Sequence, residues 1–413
     1  MRVLAVVLAG GQGHRFWPRS SESLPKQFLR LFGEESLLQA TVSRLGRFLP
    51  PESTFVVTTS VYETLVREHV PNLPPENIIC EPMGRDTAAA MGYALTMIGA
   101  EDPETVAVIL PADHHIDGVE AWTRAIGDAC RAAATDRPVL IGVPPSRPET
   151  AYGYVLLAEE LPDLAGAHGT KFHRVTRFVE KPERALAERL IAEDHCLWNS
   201  GMFIWKISTA LDLIQRHLPD TYAILSEIAR ARSGWGVPFL DSPAWRARAA
   251  GLFAGIRPVS IDYGVMEKER DVVVALGEFG WDDMGSWEGL SRFLPRDQGG
   301  NTVRGEVVLQ DSRGCIVDWD GGPAVIIGLR DAVIAGGSGP LLACAREKLG
   351  DLKSVLAGQG FRHVAARLEN RDNRSGPGDE PRGEGDAGRE DGAGGRGDGA
   401  GRGDGAGRED GSS

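Results

Sequence analysis

Between residues 8 and 28 the chain reads Leu8-Ala9-Gly10-Gly11-Gln12-Gly13-His14-Arg15-Phe16-Trp17-Pro18, then Pro25-Lys26-Gln27-Phe28. Three glycines within four positions let backbone come close to a ligand and aim several N–H groups at it, as phosphate requires. Arg15 and Lys26 set two cations beside that cradle. The set suits a nucleoside triphosphate about to lose pyrophosphate. The glycines alone fit a tight strand–helix turn equally well; the cations and prolines at these spacings favour phosphate. A dinucleotide fingerprint fails because Phe16 stands where its third glycine belongs, and a Walker A loop fails because no Gly-Lys-Ser or Gly-Lys-Thr occurs.

Further motifs follow in order: Glu81-Pro82-Met83-Gly84-Arg85-Asp86-Thr87-Ala88, Pro111-Ala112-Asp113-His114, Phe178-Val179-Glu180-Lys181-Pro182, Trp198-Asn199-Ser200-Gly201-Met202-Phe203, Ser260-Ile261-Asp262-Tyr263 and Gly280-Trp281-Asp282-Asp283. With the glycine segment they span about residues 3 to 360. The series resembles the nucleotidyltransferases that make nucleoside-diphosphate sugars, and within them the mannose-1-phosphate guanylyltransferase branch. His14 stands where the family often has Thr or Glu.

The resemblance implies transfer of GMP from GTP to mannose 1-phosphate, with release of pyrophosphate and with Mg²⁺ as cofactor. It places Leu8, Ala9, Gly10, Gly11 and Gly13 around the nucleotide, with Glu81, Gly84, Arg85, Asp86 and Thr87 at guanine and ribose. Asp86-Thr87 before an alanine-rich run also reads as a plain helix N-cap. Arg15 and Lys26 are expected to stabilise the leaving pyrophosphate, and Lys181 to lie near the sugar phosphate. Glu180 can accept from two sugar hydroxyls, Asn199 can donate and accept, and Gly153 admits backbone to the ring. The aromatic pair flanking Gly153 reads as core packing. Asp113 and Asp262 match the metal carboxylates, although a single Asp after a strand fits a helix cap or Asx-turn as readily. His114 and His115 are adjacent, cannot both face the site and are taken as structural. A homodimer completes these expectations. Rival readings are a related transferase for another sugar or base and a silent regulatory subunit on the same fold.

These residues need a scaffold. Short β-branched runs at 3–9, 55–58, 106–110 and 139–143 alternate with helical patterns at 37–49 and 87–98. That alternation predicts βαβ units: an α/β, Rossmann-like, mostly parallel sheet. Asp113, just past the 106–110 run, then projects from a strand's carboxyl end. From 151 to 276 come a strand at 172–179, a helix after Pro182, a strand at 201–206 and long helices, read as the sugar-binding half of one catalytic domain over 1–290. Residues 291–368 read as a small domain of short β runs with a closing helix over 341–368. The resemblance implies a β-helix there, and an antiparallel sandwich fragment is the alternative. Residues 369–413, with almost verbatim Gly-Asp-Gly-Ala-Gly-Arg repeats, read as a disordered tail that cannot offset its ordering entropy by burial.

The chain has 413 residues, 42% of them hydrophobic, and a net charge of -13. That charge argues against a nucleic-acid partner, which would demand a basic face. Five scattered cysteines without a C-x-x-C pair read as reduced thiols in a cytoplasmic protein. No run is long enough for a membrane span, and the apolar start ends in glycines without a signal-cleavage pattern.

Overall fold

A computed structural model describes residues 1–358 apart from 12–13, 100–101, 194 and 234–241. Gly13, the end of the expected closing helix and the whole 369–413 tail therefore lie outside the described residues. The strands of the first part are β1 (Val3–Leu8), β2 (Thr54–Thr59), β3 (Ile78–Glu81), β4 (Val106–Pro111), β5 (His115–Asp117), β6 (Val139–Val143), β7 (Gly153–Glu160), β8 (Phe172–Glu180), β9 (Cys196–Lys206), β10 (Val273–Leu276) and β11 (Gly280–Asp282). Nine of them form one sheet in the order β3-β2-β1-β4-β9-β6-β10-β8-β7, and β5 and β11 pair as a separate ribbon. In the nine-stranded sheet only β8 and β9 run against the others.

β1 and β4 are continuous apolar runs because both faces of the sheet are covered. Alternate residues feed opposite cores: Ala5, Val7, Val106 and Val108 join one cluster, Leu4, Val6, Ala107 and Ile109 the other. Helices α1 (Leu37–Leu45), α2 (Glu63–His69) and α4 (Val119–Ala133) cover the first face, through Leu38, Val66, Trp122 and Ile126. Helix α3 (Asp86–Ile98) covers the second with Met91 and Leu95, as do three later helices: α6 (Ile207–His217), α7 (Pro219–Ser233) and α8 (Pro243–Phe253). The helix after Pro182, α5 (Arg184–Ala192), packs Ala187 and Leu190 on the first face. A capping box starts α1: Ser36 accepts from the Gln39 amide while the Gln39 side chain accepts from the Ser36 amide. α1 stops at Leu45, short of the expected Leu49, with Gly46 at its C-terminus.

The strand-rich C-terminal region has β12 (Thr302–Arg304), β13 (Val307–Gln310), β14 (Ile316–Trp319), β15 (Ala324–Ile327), β16 (Ala332–Gly336) and β17 (Leu341–Ala345). β12, β14 and β16 pair in parallel, as do β13 and β15. Each coil thus stacks on the one before it, which rules out an antiparallel sandwich. The expected helix from residue 341 needs correction. Leu341–Ala345 is a strand antiparallel to β16 that buries Leu342, and helix begins only at Leu352, reaching Ala357. Its apolar residues alternate in to the coil rather than following a helical period. Arg19 in the segment before Lys26 pairs with Asp318 at 2.6 Å and with Asp320, and Arg346 pairs with Glu288 at 2.6 Å. No disulfide joins the cysteines. Among the described residues no helix is long and apolar enough to cross a membrane.

Candidate active site

A cleft of about 190 Å³ opens at the carboxyl ends of β1 and β4, lined by Leu8, Thr87, Pro111, His114, Tyr152, Gly153, Glu180, Asn199, Gly201, Asp262, Trp281 and Asp283 among others. Six residues read from sequence as ligand-binding or metal-binding thus meet in one place: Leu8, Thr87, Gly153, Glu180, Asn199 and Asp262.

An irregularity in β9 aims Asn199. Register slips between Leu140 and Gly142, Gly201 takes a φ of 68°, and Ser200 Oγ donates to the Ile141 carbonyl at 2.6 Å. The Gly201 amide donates to Asn199 Oδ1 at 3.0 Å, which fixes the side-chain amide so that Nδ2 donates to Asp262 Oδ1 at 2.8 Å. Asp262 opens a π-helical turn, Asp262–Met266. Thr87 Oγ1 accepts from the Ile261 amide at 2.9 Å, so the first turn of α3 holds the segment carrying Asp262. Burial, then the neighbouring Glu180 charge, pushes the Asp262 carboxyl up to about 7. Glu180 is itself nearly buried and accepts from Lys181 Nζ at 2.5 Å. A Cβ on Gly153 would come within 2.5 Å of Glu180 Oε2 and 3.2 Å of Asn199 Cβ, so only glycine leaves room for both. Lys181 has a φ of 46° and reaches over Tyr263, half exposed.

Asp113 and Lys26 form a second group. Lys26 Nζ lies 2.8 Å from Asp113 Oδ2 and also donates to the Asp283 carbonyl. Burial opposes ionisation of Asp113, yet the Lys26 charge prevails and holds its carboxyl below the ordinary range. Arg15 is exposed, its guanidinium beside Gly285 near the Asp283 carboxylate. Asp113 and Asp262 thus engage different partners, Lys26 and Asn199. Among the described residues no group of three or more His, Cys, Asp or Glu converges as a metal site.

The glycine turn and Glu81 make a third group. Ala9 O accepts from Gln27 Nε2 at 2.9 Å and from Thr58 Oγ1 at 3.1 Å, and Gly11 O accepts from Gln27 at 3.1 Å. A Cβ on Gly10 would meet Glu81 Oε1 at 3.0 Å. Glu81 ends β3, is 4% exposed, and leaves Oε2 buried with no hydrogen-bond partner. Burial, then the Asp86 charge, raises its carboxyl to about 7. Asp86 has a φ of 68° and accepts from the Thr87 amide at 2.7 Å. Arg85 Nη2 donates to Ala254 O at 2.9 Å, at the C-terminus of α8, and Gly84 has open space around it. Because the Glu81 pKa is raised on folding, the free protein gains from its protonated form below the unfolded pKa and loses that gain as pH rises through about 7. Glu81→Gln is therefore expected to raise the melting temperature at pH 8 and to change it little at pH 4. A melting curve that moves equally at both would show that the carboxyl is not held protonated.

Some cleft residues escaped the sequence reading. Of the two histidines, His115 packs against Phe32 and Phe293, whereas His114 faces the cleft. The Trp281 indole N–H can only donate, so its 3.2 Å bond to His114 Nδ1 leaves that ring neutral with its proton on Nε2. Tyr154 is core as expected, but Tyr152 also walls the cleft and donates to Asp283 Oδ1 at 3.0 Å. Asp282 is buried and accepts from Arg147 at 3.1 Å and Arg292 at 2.5 Å.

The model of the nucleotidyl transferase family matches residues 4–298. The chain belongs to this family. A mannose-1-phosphate guanylyltransferase of Klebsiella pneumoniae is 35% identical over 86% of this chain and 73% of its own length. The alginate biosynthesis protein AlgA of Pseudomonas aeruginosa is 34% identical over 86% of this chain and 71% of its own. A solved structure from Thermus thermophilus, described as a mannose-1-phosphate geranyltransferase, shares 34% identity at a TM-score of 0.75. It aligns over 89% of this chain and 100% of that one.

Proposed function

We propose that this nucleotidyl transferase moves GMP from GTP to mannose 1-phosphate, giving GDP-mannose and pyrophosphate. The observation that carries the base assignment is Glu81 Oε2, buried without a hydrogen-bond partner, while the other carboxyl oxygen, Oε1, lies against Gly10. Once ionised, which the two donors would favour by drawing its raised pKa back down, that carboxylate can accept from guanine N1–H and the 2-amino group together, a donor pair that adenine, cytosine and uracil lack. The names of the relatives support mannose. Two acceptors in the other half of the cleft, Glu180 and Asn199, suit the hydroxyls of a hexose.

In this reading a phosphate oxygen of the sugar phosphate attacks the α-phosphorus of GTP, the bond to the β-phosphate breaks, and pyrophosphate leaves with the electron pair. Such a transfer needs positioning and charge neutralisation more than covalent catalysis. Lys26 is already fixed by Asp113 and the Asp283 carbonyl, so its charge is in place before reaction and need not reorganise. Arg15, exposed at the mouth, meets the departing pyrophosphate. Lys181 holds the sugar phosphate. Neutral His114 offers a donor rather than a proton for transfer. The hard oxygens of Asp113 and Asp262, the latter crowded by Glu180, fit Mg²⁺. Held by these two carboxylates, such an ion would supply charge neutralisation for the transfer.

Pyrophosphate release measured across four nucleoside triphosphates and several hexose 1-phosphates tests the reading. GTP with mannose 1-phosphate is expected to lead. Release with no pair would indicate a silent subunit, and a different leading pair a related transferase. Glu180→Gln should weaken mannose 1-phosphate binding by about 1–3 kcal/mol and leave GTP binding nearly unchanged. Asn199→Ala should do the same and also raise the Mg²⁺ requirement, because Asp262 loses the donor that orients it and favours its ionised form. Equal losses for both substrates would instead indicate a damaged fold.

A further inference from the structure

Behind the turn that carries Asp113 lies a second cavity, of about 220 Å³, whose wall includes Arg44, Arg47, Ser43, His115 and Val119. His114 lines both this cavity and the cleft. Arg44 is the unusual member. It is 8% exposed, its guanidinium lies 5.3 Å from the Trp122 ring centroid, and among the described residues no carboxylate comes within ion-pair distance of it. Burial alone pulls its pKa down to about 10, with Glu35 opposing only weakly from the cavity's exposed edge.

A buried guanidinium is ordinarily paired, because five donors and a charge removed from water need acceptors. Stacking on Trp122 satisfies the face of the group and leaves its edge unfilled. Three further features favour an anion at that edge. Arg47, three residues further along the chain, adds a second, exposed cation that is only loosely paired with Glu120, at 3.9 Å. Ser43 adds a hydroxyl. α4 begins at Val119 on the wall behind a glycine N-cap that offers no side-chain acceptor, so the positive end of that helix faces an uncapped start.

We propose that this cavity is an oxyanion site for a small phosphate-type ligand, with Arg44 as its principal binding group. The site is distinct from the substrate cleft and does not depend on the reaction assigned to it. It also touches the catalytic turn: Thr41 Oγ1, one helical turn before Arg44, donates to the Ala112 carbonyl at 3.3 Å.

The probe is inorganic phosphate, titrated calorimetrically into the full chain without nucleotide or sugar. Three variants locate the binding. Arg44→Met removes the cation but keeps the stem. Ala40→Glu sets a carboxylate four residues before Arg44 on the same helix face, supplying the missing partner and closing the site without emptying it. Lys26→Met removes one of the cations assigned to the substrate phosphates. Phosphate affinity should fall about tenfold or more in Arg44→Met and Ala40→Glu, the scale of one lost charge-assisted contact, and should persist in Lys26→Met. Ala40→Glu should also melt no lower than the parent, so a poorly folding Arg44→Met leaves the test intact. Equal affinity in all four proteins, loss only in Lys26→Met, or no binding to the parent would each overturn the proposal.

Discussion

Asp113→Asn and Asp262→Asn should each sharply raise the Mg²⁺ concentration needed for turnover, and the double variant should lose much less than the sum of the two. Ligands of one ion act as a unit, so their losses are strongly non-additive. In the metal-free protein the two changes should part company. Asp113 is held ionised by Lys26, so its contribution is present above the ordinary carboxylate range and vanishes as pH falls through its lowered pKa. Asp113→Asn should therefore lower the melting temperature at pH 7, leaving Lys26 without its counter-charge. The Asp262 pKa is raised, so its ionised form opposes folding as pH climbs through about 7. Asp262→Asn should leave the melting temperature at pH 8 unchanged or higher. Additive losses of activity or indifference to chelators would show that these carboxylates do not share an ion, and matched stability changes in the two variants would show that their pKa values are not shifted in opposite directions.

Lys26→Met is the second large effect. Removing one preorganised charge that acts on a leaving group typically forfeits about 2–4 kcal/mol of transition-state stabilisation. The loss should fall on turnover more than on the KM for GTP, because the same phosphates are already neutralised in part before reaction. Arg15→Ala should lose less, since an exposed guanidinium is screened and less ordered. Wild-type turnover in Lys26→Met, measured by pyrophosphate release with the Mg²⁺ concentration raised, would remove Lys26 from the chemistry.

How far the sequence could lead differed from element to element. β1, β4 and β6 were legible because both faces are buried, which writes them as unbroken apolar runs. β3 and β7 were not: Ile78–Glu81 is only four residues long and half-exposed, and Gly153–Glu160 opens on glycine and ends in exposed charged residues. The glycine turn and the carboxylates stand out in the sequence because phosphate and metal chemistry would restrict residue type. The placing of His114 could not, since adjacent histidines at the end of a strand carry no mark of which one turns inward. What decided it was Trp281, 167 residues away in sequence. Thr87 and Asn199 were recognised as site residues, but their bonds to Ile261 and Asp262 depend on tertiary contacts that spacing does not encode.

The junction at Arg19 bears on how the molecule comes apart. The segment from Arg19 to Lys26 is anchored by Asp318 and Asp320 on the C-terminal coils at one end and by Asp113 and Asp283 at the other. Loosening the coils therefore slackens the strap that carries Lys26. In a calorimeter the strand-rich region and the α/β part should absorb heat in a single peak, and shortening the chain to residues 1–290 should sacrifice catalysis before the sheet itself is lost. The coils then behave less like an appendage than like the buckle of a belt whose other end is fastened at Asp113 and Asp283.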